Sequence, residues 1–179
     1  MNAAGAGRPA ETTVAIAVAC DGWRAIPDLE ARCRAAVAAA LAGGGWTAPA
    51  EVSLLLADDS EMRRLNREFR DRDKATNVLA FPAGGSGAGG SGAGGAPILL
   101  GDVALGHETV GAEAAAQGKA PADHLAHLIV HGVLHLLGFD HEDDRAASEM
   151  EGLETRALAA LGIADPYRLE AVAAGGRGS

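Results

Sequence analysis

Four histidines occur along a segment that is otherwise almost wholly apolar, between Pro121 and Leu137. Leucine, valine and isoleucine fill most of its other positions, which predicts a helix buried in the core. At about 100° per residue, the four imidazoles share one helix face about 80° wide. They are His124, His127, His131 and His135. Because aligned imidazoles in a core require polar partners, this helix is expected to carry a site as well as a core face.

The spacing that follows this stripe indicates a metal site. His131 and His135 lie four residues apart, about 6 Å along a helix axis, so both rings can reach one ion. A continuous helix would turn His141 away from that ion. Gly138 resolves the conflict, because glycine readily takes the left-handed conformation that ends a helix and turns the chain back. The string H-x-x-x-H-x-x-G-x-x-H therefore predicts these three histidines as ligands of one ion per chain.

Three neutral imidazoles with an open fourth position are typical of catalytic zinc, whereas structural zinc is usually closed by four ligands. Zinc held in this way lowers the pKa of bound water towards about 7. Histidine ligands would also suit nickel, cobalt or copper. His127 is an alternative first ligand, and Asp140 either orients a ring or stabilises the turn. His107 and His124 are expected to be ordinary surface or core side chains.

A second group of functional side chains lies on the helix predicted between Asp58 and about Arg70. Asp58 is its expected N-cap, with Glu61 three positions later. The apolar stripe of this helix is predicted to be Met62, Leu65 and Phe69. Basic residues line the face opposite Met62 and Leu65: Arg63, Arg67, Arg70 and, if the turn continues, Lys74. Guanidinium groups bind phosphate oxygens bidentately and offset their charge, so this row suits a phosphodiester substrate. The alternative is a solvated face on which these arginines pair with neighbouring carboxylates.

The remaining periodicities predict the fold class. Strands are expected at 12–20, 52–57, 76–81 and 98–106, and further helices at 27–41, 108–117 and 143–161. Strands and helices follow one another without a regular βαβ alternation. The sequence therefore predicts an α+β fold, with a small mixed sheet packed by helices and the metal site on a buried core helix.

The length of 179 residues suits one domain, which we expect to span residues 12–170. Residues 1–11 and 171–179 are expected to be flexible tails. Residues 83–97 contain G-G-S-G-A twice and are predicted to be a flexible glycine-rich insertion. The absence of G-K-[ST] argues against a phosphate-binding loop in that stretch.

Charge and composition limit the classes of function that we expect for this chain. With 15 basic and 24 acidic side chains, the net charge of −9 argues against a protein that coats nucleic acid nonspecifically. Residues 61–74 nevertheless hold six basic and four acidic side chains, which could form a local RNA-binding patch. No apolar run reaches the roughly 20 residues of a membrane span, so we expect a soluble, cytoplasmic protein. Cys20 and Cys33 form no metal-binding spacing and are expected to be ordinary buried thiols.

The histidine string resembles the metzincin proteases, which suggests a zincin-like fold. Those proteases carry a glutamate general base where this chain has Gly132. Three segments are more similar to the YbeY family of ribosomal-RNA maturation endoribonucleases and occur in the same order. They are L-N-R-E-F-R-D-R-D-K-A-T-N-V-L-A-F-P (65–82), L-G-D-V-A-L (100–105) and A-H-L-I-V-H-G-V-L-H-L-L-G-F-D-H (126–141). Departures are the longer insertion at 84–95 and Ala75, where proline is frequent.

The resemblance to YbeY implies a zinc-dependent, single-strand-specific endoribonuclease in 16S rRNA 3′-end maturation and ribosome quality control. The implied partners are ribosomal RNA and the small ribosomal subunit, with neither DNA nor membrane. By position, the zinc ligands fall on His131, His135 and His141, and the functional arginine falls on Arg70; these four are the expected catalytic residues. Two other hypotheses remain, a protease or amidase without the usual glutamate and a non-catalytic ribosome-assembly factor with structural zinc.

Overall fold

The protein is described by a computed structural model covering residues 11–84 and 96–168. The predicted tails, apart from Glu11, lie outside these ranges. Most of the predicted glycine-rich insertion, residues 85–95, also lies outside them.

The described part of the chain contains the strands and helices expected from the sequence, with ends that differ by a few residues. The strands are β1 (Thr12–Val18), β2 (Ala50–Ala57), β3 (Val78–Pro82) and β4 (Ile98–Gly106). The α-helices are α1 (Leu29–Gly43), α2 (Asp59–Arg70), α3 (His107–Ala116), α4 (Pro121–Leu136) and α5 (Asp144–Ala160). A short 3₁₀ helix at Asp21–Ala25 was not predicted.

The four strands form one mixed sheet in the order β1-β2-β4-β3. Strand β2 pairs in parallel with β1 and β4, whereas β3 runs antiparallel to β4 at the edge. The predicted α+β class is therefore confirmed. The parallel β1–α1–β2 crossover is a βαβ unit that the sequence did not indicate.

Close packing of β3 on β4 depends on Gly101. This residue has φ +136°, and a Cβ atom there would lie 2.2 Å from the carbonyl oxygen of Phe81. Only glycine combines that backbone conformation with so close an approach. The fixed register pairs Phe81 with Asp102 and Ala80 with Val103, which places β3 beside the face of α4.

Helix α4 is a core helix, as predicted. Ile129, Val130, Val133 and Leu134 are fully buried in a cluster that also includes side chains of α1 and α5. Their burial removes large apolar surface from water, at about 25 cal/mol per Å². The helix is consequently a rigid support for the histidines on its remaining face.

Helix α2 packs on the opposite face of β4, where Met62 joins a smaller apolar cluster. The predicted cap is confirmed, because the Asp58 carboxylate accepts a hydrogen bond of 2.8 Å from the Glu61 N–H. The predicted apolar stripe through Phe69 is wrong in part. Phe69 is 58% exposed and touches Phe81 only edge-on, whereas Asn66 is buried. Its amide donates to the carbonyl oxygen of Lys74 and so ties down the turn after the helix.

Both cysteines are free thiols. Cys33 is fully buried, and burial raises its pKa to about 11, so it stays protonated and unreactive near neutral pH. Cys20 is only half-buried, which corrects the expectation that both thiols are buried. Among the described helices, none combines the length and apolar character needed to cross a bilayer.

Candidate metal centre

The turn after α4 decides where His141 lies. The helix ends at Leu136, Gly138 adopts φ +94°, and the N–H of Phe139 donates to the carbonyl oxygen of Leu134 at 3.1 Å. The chain reverses as a glycine-ended helix allows. His141 is thereby brought back towards the histidine face of α4.

His131, His135 and His141 converge on one point. One ring nitrogen from each lies within 4.8 Å of the other two, and the Nε2 atoms of His131 and His135 are 3.0 Å apart. The ring centroids are separated by 4.6, 5.2 and 5.8 Å. No other trio of histidine, cysteine or carboxylate side chains within residues 11–84 and 96–168 meets this criterion. The donor set and spacing fit one ion with an open side.

The environment of His135 favours the neutral form of its ring, which is the form that binds metal. Burial lowers the pKa of His135 to about 4, and the neighbouring His131 and His141 act in the same direction. A neutral imidazole offers its lone pair to an ion at neutral pH. His131 and His135 are half-buried and His141 is exposed, so the trio is open to solvent on one side.

A cavity of about 350 Å³ adjoins the trio, between α4 and the outer edge of β3. Arg70 from the end of α2 lines the same cavity, and its Nη2 donates to the carbonyl oxygen of Ala80 at 3.0 Å. This hydrogen bond aims the guanidinium across the edge strand. The structure therefore brings Arg70 and the three histidines, the four expected catalytic residues, to one cavity.

The other basic residues of the predicted row do not line this cavity. Arg63 forms a bidentate pair with Asp73, with N–O distances of 2.8 and 2.9 Å. Arg67 lines a separate surface depression with Arg63. Lys74 contributes its backbone carbonyl to the turn and does not line the metal cavity. Arg63 is thus paired with a carboxylate, while Arg70 lines the cavity with the three histidines. RNA binding by Arg63, Arg67 and Lys74 stays a prediction.

The remaining histidines have other partners. The Nε2 atom of His127, the alternative ligand, lies 3.1 Å from Glu154 and outside the trio. His124 is buried, with its Nε2 2.7 Å from Glu113, and the ring of His107 packs edge-on against Trp23. Asp140 accepts a hydrogen bond from the N–H of Glu142, so it contributes to the turn.

Glu154 is a site residue that the sequence did not reveal. It is 1% exposed, and its Oε1 lies 2.5 Å from the Nδ1 of His131. Its position on the apolar face of α5, between the buried Leu153 and Ala157, is the signal that could have identified it. A carboxylate among buried apolar residues needs strong partners, and those of Glu154 are His127 and His131 on α4 together with Tyr167.

The packing of α4 against β4 explains why residue 132 is a glycine and not the glutamate of the metzincins. A Cβ atom at this position would lie 2.6 Å from Cγ1 of Val103, a fully buried side chain on β4. Valine has a stiff χ1 and cannot move aside at small cost. The close approach of α4 to β4 therefore leaves no room for any side chain at this position.

Replacing Gly132 with alanine is expected to destabilise the protein by roughly 1 kcal/mol. Overpacking costs about 1–3 kcal/mol and outweighs a gain of about 1 kcal/mol in helix propensity. With Val103→Ala the space opens, and the same replacement is expected to stabilise by about 1 kcal/mol. Urea melts of the two single variants and the double variant, at one fixed metal concentration, measure this change of sign. An equal effect in both backgrounds would contradict it.

Comparison with known proteins identifies the family. The sequence profile of the family described as Endoribonuclease YbeY matches residues 22–162. The chain belongs to this family. An Endoribonuclease YbeY of Azorhizobium caulinodans is 53% identical over 153 residues, covering 84% of this chain and 93% of the relative. That of Paramagnetospirillum magneticum is 52% identical over 158 residues, covering 86% and 94%.

A solved structure supports the fold. The solution structure of a Thermotoga maritima protein superposes on this YbeY-family chain with a TM-score of 0.51, at 19% sequence identity. The match covers 84% of this chain and 92% of that chain. Likeness at this level of identity concerns the fold alone.

Proposed function

We propose that this chain is a zinc-dependent endoribonuclease specific for single-stranded RNA. Its substrate is ribosomal RNA, with roles in 16S rRNA 3′-end maturation and ribosome quality control in the cytoplasm, alongside the small ribosomal subunit. The observation that carries the proposal is the convergence of Arg70 and three histidines on one open cavity. The printed name of the relatives, Endoribonuclease YbeY, supports the same reaction.

In this proposal, His131, His135 and His141 hold one ion through neutral ring nitrogens. Zinc bound there supplies Lewis acidity and makes hydroxide available at neutral pH. Arg70, which lines the cavity and whose Nη2 donates to the carbonyl oxygen of Ala80, binds the phosphate: its remaining N–H groups donate to phosphate oxygens and offset their charge. The fixed guanidinium orients the phosphodiester beside the ion.

The residues that line the cavity limit which group can attack the phosphodiester. Its side chains are Arg70, Asn77, Val78, Leu79, Ala80, Pro82 and the three histidines, with Gly132 between them. Among the described residues, none of those that line the cavity is a carboxylate that could act as a general base. The RNA 2′-hydroxyl and water therefore remain the two candidate nucleophiles. The same absence disfavours peptide hydrolysis, and a trio with an exposed third ligand disfavours a purely structural zinc.

Cleavage of a single-stranded RNA by zinc-loaded protein tests the proposal. We expect cleavage of the single strand, little cleavage of the same sequence in a duplex, and loss of cleavage in His131→Ala. The variant Glu151→Gln, an exposed change on α5, is the control and should cleave like the wild type. Product ends distinguish the nucleophiles, because attack by the 2′-hydroxyl leaves a 2′,3′-cyclic phosphate. Intact RNA after treatment with the zinc-loaded wild type would contradict the proposal.

A further inference from the structure

A buried carboxylate lies directly behind the proposed metal site. Glu154 is in the middle of α5 and 1% exposed, and it faces the histidine stripe of α4. Its Oε1 lies 2.5 Å from Nδ1 of His131, and its Oε2 lies 3.1 Å from Nε2 of His127. The hydroxyl of Tyr167 donates to Oε2 as well. Both carboxylate oxygens of Glu154 thus have hydrogen-bond partners.

These contacts give a buried carboxylate partners on both of its oxygens. His127, His131 and Tyr167 hydrogen-bond the two oxygens, and Oε1 is held against Nδ1 of His131. Packing alone does not account for a carboxylate in this place. Replacing a buried ionic group with apolar residues of similar volume is often neutral or stabilising.

The position of Glu154 determines which nitrogen of His131 faces the ion. Its Oε1 lies 2.5 Å from Nδ1, and a carboxylate oxygen at this position accepts a hydrogen bond, so the ring proton is held on Nδ1. The lone pair is then on Nε2, which lies 3.0 Å from Nε2 of His135 and belongs to the trio. Oε1 contacts Nδ1 of His131, the ring nitrogen that does not face the trio. Glu154 is therefore not itself a metal ligand.

We propose that Glu154 is a positioning residue of the metal centre, which holds His131 as its Nδ1–H tautomer with Nε2 directed at the ion. The inference rests on the proposed function for the presence of the metal. His127 and Tyr167 complete the arrangement by binding the second oxygen of Glu154, which fixes the carboxylate plane. Within residues 11–84 and 96–168, no other carboxylate hydrogen-bonds a member of the trio. Glu154 therefore acts on the trio through one ligand.

Zinc affinity tests this role independently of RNA cleavage. We compare wild type with Glu154→Gln, which keeps the size of the side chain and removes its charge, by competition with a fluorescent zinc chelator. Loss of a partner behind a ligating histidine typically costs 10- to 100-fold in metal affinity, and we expect a loss in this range. Glu151→Gln, one turn earlier on α5 and exposed, is the matched control and should bind zinc like the wild type. Thermal melting verifies that each variant is folded.

The tautomer itself is measured by ¹H–¹⁵N correlation of the histidine rings in the metal-free wild type. The His131 ring is expected to carry its proton on Nδ1, and this result does not depend on the folding of any variant. A proton on Nε2 overturns the inference, as does a folded Glu154→Gln protein with wild-type zinc affinity. A wild type that fails to bind zinc, with His131 still protonated on Nδ1, overturns the proposed metal-dependent function instead.

Discussion

Alanine at His131, His135 or His141 is expected to remove the metal and reduce RNA cleavage to background. Each variant leaves only two of the three ring nitrogens that lie within 4.8 Å of one another. Two imidazoles without a third protein ligand do not fix an ion with useful affinity. Metal content after gel filtration, measured by mass spectrometry, should fall from one zinc per chain to near zero.

Another histidine of α4, His124, is the matched control for that experiment. Its Nε2 lies 2.7 Å from Glu113, and it is outside the trio. The alanine variant of His124 is therefore expected to retain stoichiometric zinc. Stoichiometric zinc in His141→Ala, together with loss of zinc in His127→Ala, would replace the proposed ligand set with one confined to the helix.

Local signals in the sequence predicted most of the fold. Asp58 and Asp143 cap their helices through side-chain hydrogen bonds of 2.8 Å, and capping of this kind depends on a few adjacent residues. Gly138 takes a positive φ for the same local reason. The position of His141 followed from that single turn, so the spacing of the trio could be inferred without knowledge of the tertiary structure.

Contacts between distant segments could not be predicted in this way. The exposure of Phe69 depends on how α2 lies against β3, and the sequence pattern alone placed this residue in the core. Arg70 reaches the cavity because the carbonyl of Ala80 lies on the outer edge of β3, a consequence of the pairing with β4. Glu154 contacts His131, which lies 23 residues earlier in the sequence. Periodicity shows which face of a helix is buried, but it does not show which side chain of another element packs against that face.

Removal of the Arg70 guanidinium is expected to separate catalysis from folding. Arg70→Ala should lower RNA turnover by about 10²- to 10³-fold, the range found when one donor to a transition state is removed. The residue is exposed at the end of α2, so its truncation should change the melting temperature little. Zinc content should stay at one ion per chain, because Arg70 contributes no ligand. Single-turnover cleavage of a labelled RNA, with metal analysis of the same samples, measures both quantities.

Two further variants show whether geometry or charge matters at this position. Arg70→Lys should recover only part of the rate, because an ammonium supplies charge without the planar fork that holds two phosphate oxygens. Arg63→Ala removes an arginine from the same helix that is paired with Asp73 and does not line the cavity. It should mainly weaken RNA binding and reduce the salt dependence by about one charge, with the cleavage step unaffected. Wild-type turnover in Arg70→Ala, or loss of zinc together with activity, would show that Arg70 does not position the phosphate.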